Sequence, residues 1–433
     1  MKDENAKWRD VSNLLFERIL SRENMFQALD RVRRNRGSHG VDGMTVDKLP
    51  LYLKTAWPFI KEQLLTGTYK PQPVRRVEIP KTDGGIRLLG IPTVLDRLIQ
   101  QAIAQVLSSI FEETFSEYSF GFRPGKGAHD AVFQSKEYIE QGYNWVVDID
   151  LEKFFDRVNH DILMSRIARE IQDKRVLGLI RKYLKSGVLV NGLKVATDEG
   201  TPQGGPLSPL LVNILLDDLD KELEKRGHLF CRYADDCNIY VKSERAGMRA
   251  MQGVEKIITK TLKLKINETK SAVDRPWKRK FLGFSFYRTK GKIGIRIHPK
   301  SIKMLKDSIR EITNRNHSKN FGVRLEKLAT VTRGWMNYYG IADASNHMVK
   351  LDKWTRRRLR ACLWKQWKRI KTKHDNLVKL GATDNDAWAW ANSRKHCWRI
   401  AGSFVLKMTV TNKYLEDCGY KSFTKEYRKI HHA

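Results

Sequence analysis

The chain of 433 residues is 41% hydrophobic and 10% aromatic, enough for a large core and more than one domain, which excludes a disordered basic tail. Its 81 Lys+Arg against 49 Asp+Glu leave a formal net charge of +32, so a compact fold repels itself unless a polyanion lies beside it, and nucleic acid is the expected partner. Five cysteines without a C-x-x-C pair point to neither a disulfide framework nor a zinc ribbon, no run of about 18 apolar residues offers a membrane span, and the start Met1-Lys2-Asp3-Glu4-Asn5 has no apolar signal core; an intracellular protein is expected.

In chain order, the pattern before residue 70 is helical. Val77-Glu78-Ile79-Pro80 and Ile86-Arg87-Leu88-Leu89 then read as strands around the turn Lys81-Thr82-Asp83-Gly84-Gly85. Such a hairpin could fold Lys81 and Arg87 over a triphosphate; a basic surface hairpin is the plain alternative. Trp145 to Asp156 alternates apolar and acidic residues, and Asp148 and Asp150 share one face of the predicted strand ahead of Phe154 and Phe155. Pro202-Gln203-Gly204-Gly205 supplies backbone able to approach a base pair closely, with the Gln203 amide as a probe, or else a simple Gly-rich turn.

Tyr233-Ala234-Asp235-Asp236 lies between the apolar stretches Leu229-Phe230-Cys231 and Ile239-Tyr240-Val241, which predicts a hairpin whose turn carries adjacent carboxylates. Neighbouring Asp side chains repel one another and lose hydration on burial, and divalent cations relieve both costs. Solvated turn aspartates are the alternative. The acidic strand far upstream shifts the balance, because two such sites can meet only through tertiary folding.

The charge is uneven: residues 301–433 hold 29 Lys+Arg against 11 Asp+Glu, marking the last third as the polyanion-binding part. Seven of the eleven tryptophans lie there, and Trp364 and Trp367 fall at i, i+3 with Leu359 and Leu363, a packing pattern. The run Arg356, Arg357, Arg358, Arg360, Lys365, Lys368, Arg369 is not balanced by acids, which favours phosphate binding.

Taken together, Gly40-Val41-Asp42-Gly43, the Val77–Arg87 hairpin, Ser119-Phe120-Gly121-Phe122-Arg123-Pro124, the Asp150 strand, Gly200 to Leu210, Tyr233-Ala234-Asp235-Asp236, Asn267-Glu268-Thr269-Lys270-Ser271 and Phe281-Leu282-Gly283-Phe284 resemble, in order, the blocks of group II intron reverse transcriptases. Arg333-Gly334-Trp335-Met336-Asn337-Tyr338-Tyr339 resembles their maturase-type thumb, so the likeness runs from about residue 38 to at least residue 370.

This resemblance implies an α+β right-hand polymerase: fingers and palm on an antiparallel sheet packed by helices, then a helical thumb and a basic C-terminal domain. The boundaries expected are 1–60 for an N-terminal helical extension, 61–290 for fingers and palm, 291–360 for the thumb and 361–433 for the basic region. The implied activity is RNA-directed DNA synthesis with two Mg²⁺, or Mn²⁺ in their stead, held by Asp150, Asp235 and Asp236 with the Leu151 carbonyl as a further ligand. Asp148 is the weaker choice, since Phe155 follows Asp150 by the family's spacing. Lys81 and Arg87 become the triphosphate pair, Phe155 the ring that excludes a 2′-hydroxyl, and Gln203 a contact to template and incoming nucleotide. Lys270 becomes a charge stabiliser or general acid at the pyrophosphate, and Leu282 and Gly283 the primer grip.

The implied partners are an RNA template, intron RNA, a DNA primer or target and dNTPs, in a bacterial cytoplasm and at the nucleoid when acting on DNA; no membrane is involved and the oligomeric state stays open. The length and Cys/His spacing do not suit the endonuclease domain of some relatives, so mobility would use an existing nick or a single-stranded target. The competing readings are a splicing maturase whose polymerase is secondary, and a bacterial reverse transcriptase of defence or repair. Gly40–Gly43 and the Arg333-Gly334-Trp335 thumb favour the intron type.

Overall fold

The computed structural model describes residues 14–80, 85–190, 193–195, 199–200, 204–316 and 320–431. It divides into two compact units, Met1–Arg279 and Lys280–Ala433. Among the described residues no helix is long and apolar enough to cross a membrane.

The strands of the first unit are β1 (Val74–Pro80), β2 (Ile86–Ile91), β3 (Trp145–Ile149), β4 (Val188–Val190), β5 (Leu193–Val195), β6 (Leu229–Tyr233), β7 (Asp236–Val241) and β8 (Ala272–Asp274). They form two sheets, in the orders β2-β1-β4-β5 and β6-β7-β3-β8, the second wholly antiparallel. The expected basic hairpin is present: β1 and β2 pair from Arg75↔Ile91 to Pro80↔Ile86, while Lys81 to Gly84 lie outside the described residues. In the second sheet Val146, Val147, Ile149, Phe230, Ile239 and Val241 are buried. The helices Ala128–Glu140 and Glu244–Lys256 pack on it, and β7 is buried without alternation from Cys237 to Val241.

An arginine lies in the interior of this apolar sheet. Arg232 on β6 is fully buried and donates Nε to Asp220 Oδ1 at 2.7 Å, with a second bond from its terminal nitrogen to the other Asp220 oxygen. Asp220 comes from the helix Ser208–Lys225 and is itself fully buried. The remaining guanidinium nitrogen donates at 3.0 Å to Asn213 Oδ1 and at 3.0 Å to the carbonyl of Ala234, inside the acidic turn. Asn213 in turn donates to the Gly121 carbonyl at 2.7 Å.

The segment before Gly121 runs along the edge of β6, with bonds from Arg232 N to Tyr118 O at 2.9 Å and from Phe120 N to Arg232 O at 2.8 Å. Gly121 then approaches the turn so closely that an added Cβ would lie 2.4 Å from Ala234 N. Only glycine fits there. The acidic hairpin is thus supported by a desolvated ion pair and by a strand segment that only a missing side chain can admit.

The second unit opens on a hairpin of β9 (Phe284–Thr289) and β10 (Lys292–Ile297), after which it is helical. β10 falls past residue 290, where helix was expected, because Ile293, Ile295 and Ile297 are buried at period two. Its longest helix, Ser345–Gln366, carries Asp352, whose two oxygens accept from Tyr420 OH, Ser422 Oγ, Phe423 N and Thr424 N at 2.6–2.9 Å. One carboxylate therefore satisfies the start of the last helix, Phe423–His431.

Removing one partner of the buried pair strands the other charge in the core. The variant Asp220→Ala is expected to lose about 3–5 kcal/mol in denaturant unfolding, and Arg232→Met/Asp220→Leu to recover much of that loss. A single variant within about 1 kcal/mol of wild type, the size of an exposed pair, would contradict this role.

Candidate active site

The ladder between β6 and β7 ends at Tyr233↔Asp236, so the turn residues are Ala234 and Asp235, and Asp236 begins β7. The ladder between β3 and β7 ends at Ile149↔Cys237, and one further step in that register brings Asp150 opposite Asp236. The acids expected to meet therefore do so at one end of the sheet. Asp236 is exposed and Asp235 half-buried. Burial pushes the Asp235 carboxyl above the usual carboxylate range and the Asp150 charge adds to the rise, while its own backbone N–H, Arg87 and Arg232 act against it.

Asp150 is fixed by the block that follows the hairpin. Its N–H donates to Ser271 Oγ at 3.0 Å, and its carbonyl accepts from Asn267 N at 2.8 Å and Ser271 Oγ at 3.3 Å. Lys270 Nζ stands 3.6 Å from Asp150 Oδ2. Leu151 is buried and bridges Ile266, and the bonds flanking that bridge accept at the carbonyls of Asp150 and Lys265. The Leu151 carbonyl is directed to the opposite edge of the strand. Asp148 faces a different partner, Arg279, which donates Nε and a terminal nitrogen to Asp148 Oδ2 at 2.8 and 2.7 Å. Its cation is held by two short bonds, closer than the 3.6 Å between Lys270 and Asp150.

Among the described residues no three His, Cys, Asp or Glu side chains converge closely enough to hold a metal ion by themselves. The aspartates form an open arrangement rather than a closed cage. That suits Mg²⁺, which keeps several waters and is bound by one or two carboxylates plus substrate phosphates. The donors are all hard oxygens, and the rise of the Asp235 carboxyl by burial and the Asp150 charge is a cost that a divalent cation would offset.

Arg87 is exposed on β2 opposite Ile79 and acts electrostatically on Asp235, so the basic hairpin lies within electrostatic reach of the acidic turn. Lys81 and Gln203 lie outside the described residues. The ends of the Gln203 loop are described: Gly200 N donates to Val158 O at 2.8 Å, and His160 Nε2 bonds Gly200 O at 2.7 Å. Phe155 follows a left-handed Lys153 (φ +47°) and is half-buried, its ring 5.3 Å from that of buried Phe154 at 82°.

In the second unit, Leu282 (φ +50°) and Gly283 (φ +87°) form a two-residue turn between Phe281 and Phe284, which exchange both backbone bonds. Tyr338 OH donates to Leu282 O at 2.8 Å, and Ser301 Oγ to Gly283 O at 3.0 Å. A Cβ on Gly283 would lie 2.5 Å from Tyr339 OH. The tyrosines of the thumb-like block therefore hold this turn.

The basic run separates into two groups. Arg357 donates to Trp398 O at 2.9 Å with its guanidinium 4.2 Å from the Trp398 ring, and Arg358 donates to Thr313 Oγ1 at 2.6 Å. Arg360 is buried and bonds Val410 O and Asn412 Oδ1, and Arg356 reaches Asp352 and Glu416 at 3.7 and 3.8 Å. These four tie helices together rather than presenting charge outward, a correction to the expectation for them. Lys365, Lys368 and Arg369 are exposed. The sequence reading missed Arg232, Asp220 and Asn213; a lone arginine in an apolar strand was the available signal, since unpaired Arg is almost never fully buried.

A family model described as reverse transcriptase (RNA-dependent DNA polymerase) matches residues 79–286, and one described as group II intron, maturase-specific domain matches residues 302–381. Protein YkfC of Escherichia coli is 34% identical over 279 residues, covering 55% of this chain and 73% of that protein. Group II intron-encoded protein LtrA of Lactococcus lactis is 38% identical over 213 residues, 49% of this chain and 35% of LtrA. The putative COX1/OXI3 intron 2 protein of Saccharomyces cerevisiae is 33% identical over 230 residues, 52% of this chain and 26% of that protein. The match thus spans roughly a third or less of the two intron-encoded relatives. A reverse transcriptase domain implies dependence on a divalent cation, and with the maturase domain it implies RNA and DNA partners. With both domains in family order around the acids described above, the chain belongs to the group II intron-encoded reverse transcriptases and maturases, a family of RNA-directed DNA polymerases.

Proposed function

We propose that this chain extends a DNA primer on an RNA template with two Mg²⁺, for which Mn²⁺ can substitute, and binds intron RNA to assist splicing and mobility. The observation that supports the polymerase reading is that Asp150 comes opposite Asp236 from a strand far away in the chain and, with burial, raises the carboxyl of the adjoining Asp235, on which Arg87 also acts. The maturase-specific match supports the intron RNA. In this reading residues 1–60 are a helical extension, 61–290 fingers and palm, 291–360 thumb and 361–433 a basic region, working in the cytoplasm and at the nucleoid.

Asp150, Asp235, Asp236 and the Leu151 carbonyl would hold the ions, which when bound favour ionisation of the primer 3′-hydroxyl and offset charge on the departing pyrophosphate. Lys270, 3.6 Å from Asp150, offers a charge or a proton to the pyrophosphate. Arg87 and Lys81 clamp the triphosphate, and Gln203 contacts the template and the incoming nucleotide. The half-buried Phe155 ring would exclude a 2′-hydroxyl. The Leu282–Gly283 turn offers backbone to the primer, and Lys365, Lys368 and Arg369 offer cations to phosphate.

Extension by Asp235→Asn/Asp236→Asn is expected to fall at least about 1000-fold while RNA binding persists, because the ions supply several kcal/mol of transition-state stabilisation. A folded wild type that binds RNA tightly yet never extends a primer would instead mark a splicing factor. For Phe155→Ala, discrimination between dNTPs and rNTPs is expected to drop by about 10-fold or more, the lower end of what steric selection supplies. An unchanged ratio of kcat/KM values would remove the sugar gate from this residue.

A further inference from the structure

Phe122 stands beside the acidic turn with 59% of its surface exposed and its backbone in the left-handed region at φ +59°. Single exposed aromatics need no explanation, but a bulky residue in that conformation is rare and persists only where its surroundings impose it. Both neighbours do so. Gly121 is pressed against Ala234, with its carbonyl held by Asn213 at 2.7 Å. Arg123, 8% exposed, is fixed by Glu112 at 2.7 Å and by the Ser119 carbonyl at 2.8 Å, with a further bond to Ser116 O. The backbone is locked on either side of a ring that buries little in the core.

That ring lies 5.9 Å from the ring of Tyr233 at 45°, and Tyr233 is the residue that pairs with Asp236 at the mouth of the turn. The two form an apolar shelf next to the carboxylates. A triphosphate is recognised by cations such as Arg87, whereas sugar edges and base faces are recognised by aromatic surfaces. We propose that Phe122 is a contact residue for the growing end of the primer–template duplex, seating the newest base pairs so that the 3′-hydroxyl stays over Asp235 and Asp236. This rests on the polymerase reading above.

The test follows release of a labelled primer–template duplex from wild type, Phe122→Ala, Phe122→Tyr and Phe122→Gly without dNTP, together with the nucleotides added per binding event and the thermal unfolding of each. The Ala and Gly variants are expected to release duplex at least about fivefold faster and to add fewer nucleotides per event, with the dNTP KM within about twofold of wild type. Tyr should restore both, and Gly should unfold no lower than wild type because it relieves the left-handed strain. Ala holding the duplex as long as wild type would overturn the assignment. So would a raised dNTP KM with unchanged release, which would give the ring to the nucleotide, or activity lost in step with a lower unfolding temperature in Gly. A wild type that holds duplex without extending it would overturn the polymerase reading and leave the release comparison to judge Phe122 by itself.

Discussion

The buried pair Arg232–Asp220 is the constraint on which the acidic site depends. A charge removed from water must be matched in full, and here the guanidinium meets both oxygens of Asp220, the amide of Asn213 and the carbonyl of Ala234. Because that carbonyl lies inside the turn, the same pair that satisfies the core sets the position of Asp235. Without such support the repulsion between Asp235 and Asp150 would be relieved by opening the hairpin. The geometry for binding cations is therefore held from below by a group that need never touch substrate.

Strain is distributed in keeping with this. Of the seven described non-glycine residues with left-handed φ, four are Phe122 beside the turn, Lys153 before Phe155, Ala234 in the turn and Leu282 in the Phe281–Phe284 turn, while Arg36, Lys263 and Lys290 lie elsewhere. These four sit in or next to segments to which a role in handling nucleic acid or metal is attributed, and Ala234 and Leu282 accept bonds from Arg232 and Tyr338. Such conformations cost energy and survive where surrounding contacts over-determine them. Charge works alongside: Arg279 pairs closely with Asp148, whereas Asp150, with Lys270 3.6 Å away, still raises the Asp235 carboxyl.

Much of the palm was legible in the sequence because local pattern encodes it. Apolar arms around Asp235 and Asp236 specify a hairpin, and the stretches around Val77–Pro80 and Ile86–Leu89 specify paired strands. The partners of Arg232 were not legible, because Asp220 and Asn213 lie on a helix and nothing local announces which carboxylate an interior arginine will meet. The basic run misled for a related reason. Arginine carries an apolar stem and five donors, so the same residues read alike whether they face phosphate or, as Arg357 and Arg360 do, close gaps between helices. Asp352, one acid among many bases in the sequence, turned out to anchor the final helix.

The central claim is that the fold places Asp235 where burial and the Asp150 charge make its ionisation costly, a cost that a divalent cation would offset. Its folded-state carboxyl titrates above the unfolded one, so ionising it costs the folded state; the penalty is complete above the raised value and gone below the ordinary carboxylate value. Thermal unfolding of wild type and Asp235→Asn across that range, with and without Mg²⁺, measures this directly. Without metal the variant should be the more stable protein at neutral pH, the advantage should shrink as pH falls from the raised value and vanish below the ordinary carboxylate value, and Mg²⁺ should raise the unfolding temperature of wild type alone. A variant less stable than wild type at neutral pH, or stabilised equally by Mg²⁺, would contradict it.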